Sequence, residues 1–470
     1  MKISNNRWLV TGACLLLLAS SCTKKFLDKT PSDQTSATDA LGSASALQTA
    51  LNGAYAQLRS TSLFGRDYAI IGDLQADNIF IETNNSGRYL NQFTGRFTSA
   101  DGVVEGDWSA AYTGILDANQ IIDATVPGTD AIKAQAYALR ALLYFKLINQ
   151  YARPYTDNPN GMGVPLILHY APAVLPGRDS VAKVYKQIVS DLTTALSSAP
   201  AYSNSVTLSR YSIQALLARA YFYMGDYTNA KTTALQVINN SGFHLAGSAT
   251  AYQAFWNNPA VKSDMVEVLF EVDMDAVNNN GNDDLGLFVN GGYQDVYVSQ
   301  QLVNLYSATD IRASVLIPGQ TKGGFTATLI GKYPNGTGAD KDNPKVIRLA
   351  EMYLIAAESS LPGNETDARI YLNQLMAFRD PAFTGYTSTG AQLLSDIVTE
   401  RRKELAFEGD RIYDLNRLKQ DIARGPVNPG SIPQILNTIP YSDYRRIFPI
   451  PLNEIQANAN IAGQQNPGFQ

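Results

Sequence analysis

Apolar residues recur at helical spacing over long stretches of this chain, and this spacing constrains the fold more than any other feature. In residues 44–59, 104–125 and 130–151, apolar side chains return every three or four positions, as on a half-buried helix. Such a helix buries one stripe against a neighbour and leaves its other face in water. The sequence therefore predicts a mainly α-helical protein whose helices pack side by side.

The clearest unit is residues 212–238, where two such helices flank the turn dipeptide 225–226. Its small and aromatic residues follow the spacing of a tetratricopeptide repeat: Ala218, Tyr221, Gly225, Tyr227 and Ala230. Residues 345–378 have a similar pattern, and 104–151 and 181–223 are candidate further copies. We expect tetratricopeptide-like helical pairs to form a scaffold, with a generic helical hairpin as the alternative interpretation.

Two long tracts, at about 60–103 and 241–343, interrupt the helical pattern. The first is rich in Gly, Asn, Thr and aromatic residues, and the second alternates Asn/Gly clusters with β-branched runs at 266–272, 296–303 and 327–330. Helical pairs do not need such tracts for packing, and long loops on a rigid frame commonly carry binding function. We predict a few short strands and a loop-rich ligand face.

The first 21 residues have the pattern of a lipoprotein signal peptide. Lys2 and Arg7 precede an apolar run over 8–18 that is too short to span a bilayer, and small residues 19–21 lead to Cys22. Ala19 stands where leucine is usual in such signals. We expect cleavage before Cys22, a lipid on that residue, a polar tether over 22–42 and a single body over 43–470. An ordinary secreted protein is the alternative.

The cysteine count and the charge exclude several classes of protein. Cys14 lies in the predicted leader, so the mature chain would retain only Cys22 and could form no internal disulfide. Removing Lys2 and Arg7 from the 37 basic side chains leaves 35 against 42 acidic ones, a net charge of −7. Because no basic stripe remains, we expect no nucleic-acid partner.

Signatures of catalysis are scarce. His169 and His244 stand alone among loop residues, and the sequence contains no Gly-x-Ser-x-Gly nucleophile turn. Asp283 and Asp284 lie in a Gly/Asn-rich loop, where acids could hydrolyse a glycoside or bind calcium, although neither use is favoured. The sequence predicts neither an enzyme nor a metal or cofactor site.

The densest charged run covers residues 400–417. Acids and bases three or four positions apart face each other on a helix, which favours a buried or half-buried structural network over phosphate binding. We expect Gly409 to let the chain bend between two helices and Asp410 to cap the second one.

This run, Glu-Arg-Arg-Lys-Glu-Leu-Ala-Phe-Glu-Gly-Asp-Arg-Ile-Tyr-Asp-Leu at 400–415, resembles a signature of the SusD/RagB family. These proteins are nutrient-binding outer-membrane lipoproteins of Bacteroidetes. Other segments resemble family motifs in the same order along the chain, namely 22–28, 108–119, 140–155, 347–358, 368–375, 446–454 and 465–469. The resemblance covers the whole length, and its specificity lies in the ordered set.

The resemblance implies a helical scaffold with a loop-rich ligand face and no catalysis. It also implies a partner, a SusC-like TonB-dependent transporter, over which the lipoprotein acts as a hinged lid at the outer membrane, facing the cell surface. Ligands of the family are mostly glycans, and some members bind peptides. A surface glycoside hydrolase that uses acids of the 270–285 loop and a helical adaptor that grips a protein are the further alternatives.

A glycan site needs an aromatic ring to stack on the sugar and polar groups to bind its hydroxyls. Family sites lie in the loops after the first helix and in the middle region. In this chain those loops contain ten candidates: Arg66, Tyr68, Asp77, Asn78, Tyr89, Phe93, Tyr293, Gln294, Asp295 and Tyr297. Core packing is the alternative for each. Trp108 is expected in the core, and Trp256 is left open.

Overall fold

The computed structural model describes residues 41–433 and 436–469. The predicted signal peptide, Cys22 and all of the predicted 22–42 tether except residues 41 and 42 lie outside the described residues. Within the described ranges, no helix combines the length and the apolar character needed to cross a membrane.

The described chain is mainly helical, as predicted. Its α-helices, in chain order, are α1 Ala44–Gln57, α2 Asp67–Leu74, α3 Leu90–Thr94, α4 Gly102–Asp123, α5 Asp130–Tyr151, α6 Val181–Leu196, α7 Arg210–Met224, α8 Tyr227–Asn240, α9 Ala249–Asn257, α10 Leu285–Val289, α11 Gln300–Val303, α12 Leu349–Ser360, α13 Glu365–Arg379, α14 Gly390–Leu405, α15 Arg411–Arg417 and α16 Leu452–Ala457. The strands are β1 Ile79–Ile81, β2 Val268–Glu271, β3 Val296–Val298, β4 Leu316–Gln320, β5 Thr326–Ile330, β6 Lys345–Arg348, β7 Ile422–Ala423 and β8 Thr438–Ile439.

The predicted hairpin over 212–238 is confirmed as helices α7 and α8. Ser209 and Ser212 form a reciprocal capping box at the start of α7, and Gly225 ends that helix with φ of 75°, a left-handed conformation that suits glycine. The side chain of Asp226 then accepts a hydrogen bond from Asn229 N (3.2 Å) and caps α8. These local signals fix the turn, so the two helices pack along their length.

The scaffold is a continuous row of packed helices. Neighbours in the row are α4 and α5, α5 and α6, α6 and α7, and α7 and α8; α8 then packs on α12, and α12 on α13. Residues 241–343 therefore leave the row after α8, and the chain returns to it at α12. The predicted pair over 345–378 is confirmed as α12 and α13, although residues 345–348 form strand β6 instead of helix.

Helix α5 departs from the predicted half-buried pattern, since it is buried almost all round from Ala134 to Tyr151. It lies between α4 and α6, so even its charged residues face protein. Arg140 donates to both carboxylate oxygens of Asp191 (2.8 and 2.7 Å), and Lys146 pairs with Asp107 (3.1 Å). Each buried charge has an opposite partner, as burial requires.

The strands form antiparallel pairs, and the β1–β3 pair joins the two loop tracts. Strand β1 pairs with β3, with Ile79 opposite Val298, while β4 pairs with β5 and β2 with β6. The predicted strand over 296–303 is too long, because the side chain of Ser299 accepts from Leu302 N (3.3 Å) and starts helix α11.

The charged run over 400–417 forms the buried structural network that the sequence predicts. Glu404 accepts from Arg348 (3.0 Å), Arg379 (2.9 and 3.0 Å) and Arg312 (3.3 Å), and Glu400 binds Arg312 and Lys403. The arginines come from three other segments, so the network fastens α14 to the rest of the scaffold.

Gly409 makes the predicted bend, with φ of 90°, and a Cβ atom there would overlap the carbonyl oxygen of Tyr68. The predicted cap by Asp410 is wrong. Asp410 occupies the capping position of α15, but its side chain makes no capping hydrogen bond and accepts instead from the hydroxyl of Tyr68 (3.2 Å). The close approach of helix α2 supplies this competing donor.

Candidate functional site

Pairing of β1 with β3 brings the two predicted loop tracts together at one edge of the scaffold. The loop after β1 covers 82–89, the segment before β3 covers 281–294, and the turn between β4 and β5 covers 321–325. We call these three segments the three-loop face. They are far apart in sequence. The β1–β3 pairing brings the first two together, and the turn joins them through contacts of Gly323 with Glu82 and of Lys322 with Asp295.

Two buried acids hold the loops in register. Asp295, which directly follows the 281–294 segment, accepts from Ser86 N (3.0 Å) and pairs with Lys322 (2.9 Å), so it connects that segment to the other two. Glu82 accepts from Gly323 N (2.8 Å) and Asn84 N (3.1 Å). Both carboxylates are fully buried. Their role is to position the loops and not to contact solvent.

The centre of the face is a stacked pair, Arg88 and Tyr293. The guanidinium carbon of Arg88 lies 3.8 Å from the ring centroid of Tyr293, and its Nη2 donates to the Tyr293 hydroxyl (3.0 Å). The same nitrogen binds Asp283 (2.9 Å), which also accepts from Arg66 Nη1 (3.1 Å). Because Asp283 is held by two arginines, the loop over 281–294 is fixed against the loop over 82–89.

Phe325 supplies an exposed ring at the tip of the β4–β5 turn. It is 46% exposed and lies beside Gly430, whose carbonyl accepts from Thr83 N (2.8 Å). Asn84 and Ser86 are exposed on the adjoining loop. The face therefore has a bare aromatic surface together with amide, hydroxyl and guanidinium groups.

The structure places the ten predicted ligand residues at different depths. Tyr293 and Gln294 are partly exposed on the three-loop face, and four more lie buried directly beneath it: Arg66, Tyr89, Asp295 and Tyr297. The remaining four are buried elsewhere in the body: Tyr68, Asp77, Asn78 and Phe93. Direct ligand contact stays a prediction for the first two, while the buried eight have hydrogen-bonding or packing roles in this conformation.

Contacts of the buried residues account for their positions. Arg66 donates to the hydroxyl of Tyr89 (2.6 Å), which in turn donates to Asp67. Asp77 binds Arg402 and Arg411, and the ring of Phe93 lies under Arg424 (4.8 Å). Trp108 is in the core as expected, and Trp256, which the sequence left open, is fully buried.

Residues that sequence reasoning missed include Ser86, Arg88, Lys322 and Phe325. Arg88 precedes the predicted Tyr89, and Phe325 follows a Lys-Gly-Gly turn sequence, so a search for exposed side chains at loop tips would have selected both. Their contacts with Asp295, Tyr293 and Gly430 depend on strand pairing between distant segments, which a single sequence does not encode locally.

Charges on the face are matched. Arg66, Arg88 and Lys322 pair with Asp67, Asp283 and Asp295. Burial raises the pKa of Tyr89, and its neighbour Asp67 adds to the shift, so this phenol stays neutral. Burial also raises the pKa of Asp67, against the opposing effect of Arg66. The face offers hydrogen bonds more than net charge.

The acids considered for hydrolysis do not face each other across the site. Asp283 is held by Arg66 and Arg88, whereas the buried Asp284 accepts from Gly286 N (3.0 Å) and caps α10. Burial raises the pKa of Asp284 to about 6. His169 is 83% exposed and contacts Asp123 (3.0 Å). Within the described ranges, no group of three or more His, Cys, Asp or Glu side chains is arranged to hold a metal ion.

A largely apolar cleft lies apart from the three-loop face. Its volume is ≈ 510 Å³, and its walls include Arg153, Met162 and Tyr444. A second cleft, of ≈ 420 Å³, runs along helix α14. Neither cleft shares a lining residue with the three-loop face.

Two family models match this chain. The family model described as "Starch-binding associating with outer membrane" matches residues 25–224, and the model of the SusD family matches residues 320–469. A SusD-like protein, P2, of Formosa agariphila is 28% identical over 489 residues, which cover 90% of this chain and 92% of that protein.

Solved structures have the same architecture. A SusD superfamily protein of Bacteroides thetaiotaomicron superposes with a TM-score of 0.82 at 28% identity, covering 90% of this chain and 100% of its own. A SusD-like carbohydrate binding protein of Bacteroides vulgatus, at 21% identity, superposes with a TM-score of 0.77 over 89% of this chain and 97% of its own. At that lower identity the likeness concerns the fold alone.

Proposed function

Because this chain belongs to the SusD/RagB family, we propose that it binds oligosaccharides at the cell surface without catalysis and passes them to a SusC-like TonB-dependent transporter. The ligand site in this proposal is the three-loop face. The observation that carries it is the exposed ring of Phe325 on the same face as the Arg88–Tyr293 pair and the polar loop over 82–89.

The chemistry of a sugar fits these groups. A pyranose ring has an apolar C–H surface that packs on an aromatic ring, and hydroxyls around its rim that exchange hydrogen bonds. Phe325 would supply the stacking surface, while Asn84, Ser86 and Arg88 would supply donors and acceptors. Since the two buried acids already hold the loops, little conformational entropy would be lost when a ligand binds.

The matched charges favour an uncharged glycan. The cations of the face, Arg66, Arg88 and Lys322, each have a carboxylate partner within 3.2 Å. An anionic ligand would have to compete with those carboxylates, whereas neutral hydroxyls can add hydrogen bonds without breaking the pairs. Binding at this face should therefore change little between low and high salt.

Phe325 provides the test, because Phe378 is a matched control. Both rings are similarly exposed, at 46% and 42%, but Phe378 belongs to helix α13 and not to the three-loop face. We expect Phe325→Ala to weaken glycan binding about tenfold, as for loss of an aromatic contact, and Phe378→Ala to leave it unchanged. Titration calorimetry with the best ligand from a panel of neutral glycans, acidic glycans and peptides measures the difference.

Other outcomes would reject the proposal. If a peptide binds and no glycan does, the ligand class is wrong. Release of shortened products from any glycan in the panel would identify an enzyme. Equal effects of the two phenylalanine substitutions would show that the ligand does not bind at the three-loop face.

The anchor and the transporter are further parts of the proposal. A lipid on Cys22 would hold a single body over 43–470 at the outer membrane, facing outward, through the polar tether. We expect Cys22→Ser to release the exported protein from the membrane fraction and to abolish co-purification of the transporter. Cys14→Ser, within the predicted leader, is the matched control and should leave both unchanged. Membrane retention of Cys22→Ser would contradict the lipid anchor.

A further inference from the structure

A cleft runs along one face of helix α14, and its lining includes two arginines that have no role in the proposed glycan site. The lining residues of this helix follow helical spacing from Ala391 to Arg402 and include Ser395 and Thr399. Leu305, Arg411 and Gln420 form the opposite wall, and the volume is ≈ 420 Å³. The lining combines apolar side chains with two guanidinium groups, those of Arg402 and Arg411.

Both arginines are held by a single carboxylate. Arg411 donates to Asp77 through Nε (2.8 Å) and Nη2 (3.0 Å). Arg402 approaches the same carboxylate with Nη2 (3.3 Å) and donates through Nε to Asn78 Oδ1 (2.8 Å). These contacts fix both guanidinium planes at the cleft wall, so no reorganisation is needed to present their remaining donors.

Each guanidinium keeps an open donor group. Nη1 of Arg402 and Nη1 of Arg411 make no hydrogen bond to the described part of the chain, and neither atom is sealed from solvent. The hydroxyls of Thr399 and Ser395, one and two turns before Arg402 on the same helix face, likewise have no partner among the described residues. Several donors therefore face one space without an acceptor.

The charge around the two arginines is positive in excess. Asp77 is the one carboxylate that binds the two arginines, and Arg424 is near enough to act on it as well. The other nearby acids, Asp73 and Asp414, are buried and have partners of their own. Asp73 accepts from Gly409 N (3.0 Å), and Asp414 binds Arg401 and Arg417 (both 2.8 Å).

Acids on the rest of α14 have partners of their own. Asp396 accepts from Ser388 and Gln392, and Glu400 binds Arg312 and Lys403. Beyond the helix, Lys419 is near Asp157 (3.5 Å), and Asp421 accepts from Tyr441 N. None of these groups neutralises the two arginines.

We propose that the Arg402–Arg411 end of this cleft binds an oxyanion, namely the carboxylate, sulfate or phosphate group of a small ligand. Arginine suits this role because its planar N–H groups match the spacing of oxygens on such anions. The hydroxyl of Thr399, one turn from Arg402, would donate to a remaining oxygen. This site is separate from the three-loop face and does not rest on the proposed glycan function.

The test uses Ser395, which is exposed and makes no contact that the fold requires. Titration calorimetry of the purified protein with sodium sulfate, sodium phosphate and sodium glucuronate, at constant ionic strength in sodium chloride, should give one saturable site for at least one of them. Glucose is the neutral probe and should not bind there. Ser395→Asp places a carboxylate in the cleft that the two arginines line, where it would repel the anion, and should weaken anion binding about tenfold or more.

Ser395→Ala is the matched control and should keep anion affinity within about threefold of the parent protein, since it removes one hydroxyl and adds no charge. Thermal melting confirms that both variants are folded. Absence of saturable binding by all three anions would overturn the site, as would affinity for the anion that is equal in Ser395→Asp and the parent. Glycan binding at the three-loop face should be unchanged in Ser395→Asp, so the two proposals fail independently.

Discussion

At Glu404, three arginines meet one carboxylate in the interior of the protein. Arg348, Arg379 and Arg312 all lie within 3.3 Å of its oxygens, and all four side chains are fully buried. Charges in such a place cost solvation energy, which their mutual attraction offsets only while every partner is present. The network is therefore sensitive to the loss of a single member.

Glu404→Gln should lower the free energy of unfolding by about 3–5 kcal/mol, because the arginines would be left buried without their shared anion. Denaturant unfolding followed by circular dichroism measures this. Glu365→Gln is the control, since the Glu365 side chain is 40% exposed and its ion pair with Arg369 is long, at 3.8 Å. That variant should change stability by less than about 1 kcal/mol. Equal effects of the two substitutions would show that the network contributes little.

The pH dependence of stability gives a second measure of the same residue. Burial alone would raise the pKa of Glu404, but Arg379 and Arg348 hold it well below the usual 4.5. A carboxylate with a depressed pKa stabilises the fold above its unfolded value, and this contribution is lost as the pH falls through the folded pKa. Below pH 4.5, stability of the parent protein should therefore fall more steeply than that of Glu404→Gln. Parallel curves would contradict this.

At the level of elements, one close approach joins α2 to the turn before α15. Gly409 has φ of 90°, and its N–H donates to Asp73 (3.0 Å). A side chain there would meet the backbone of Tyr68, which belongs to a helix and cannot move aside.

Gly409→Ala should destabilise the protein by about 2–4 kcal/mol, from the left-handed backbone and the overlap together. Gly363→Ala, in the turn between α12 and α13, is the control, because no atom lies within 4 Å of its added Cβ. It should change stability by less than about 0.5 kcal/mol. Thermal melting of the two variants gives the comparison, and a neutral Gly409→Ala would refute the packing described for this turn.

The sequence predicts where helices lie better than it predicts which residues surround each helix or strand. The helices of the hairpin over 212–238 carry their own period, cap and turn residue, so local physics was enough to find them. The end of β3 at Val298 comes from a local cap at Ser299, which the β-branched run did not reveal. Burial of α5 on all sides depends instead on neighbours that arrive from distant segments. The same limit applies to the candidate site, where Phe325 and Arg88 come onto one face only through strand pairing.

Across the whole molecule, charge is distributed in two ways. The three-loop face pairs its cations with carboxylates and leaves an aromatic ring in solvent, whereas the α14 cleft presents two arginines to one acid. The three-loop face shares no residue with the buried network, because Glu404 and its three arginines lie in α14, α13, β6 and the segment 311–315. Stability and glycan binding therefore depend on different residues.

The central claim is that ligand binds the loops while the helical row stays fixed. Hydrogen–deuterium exchange of the purified protein, with and without a saturating neutral glycan from the panel, tests it most directly. The account predicts slower exchange in residues 82–89, 281–294 and 321–325 and unchanged exchange in α4 to α8. Protection confined to the helical row, or no protection at the three segments, would contradict it.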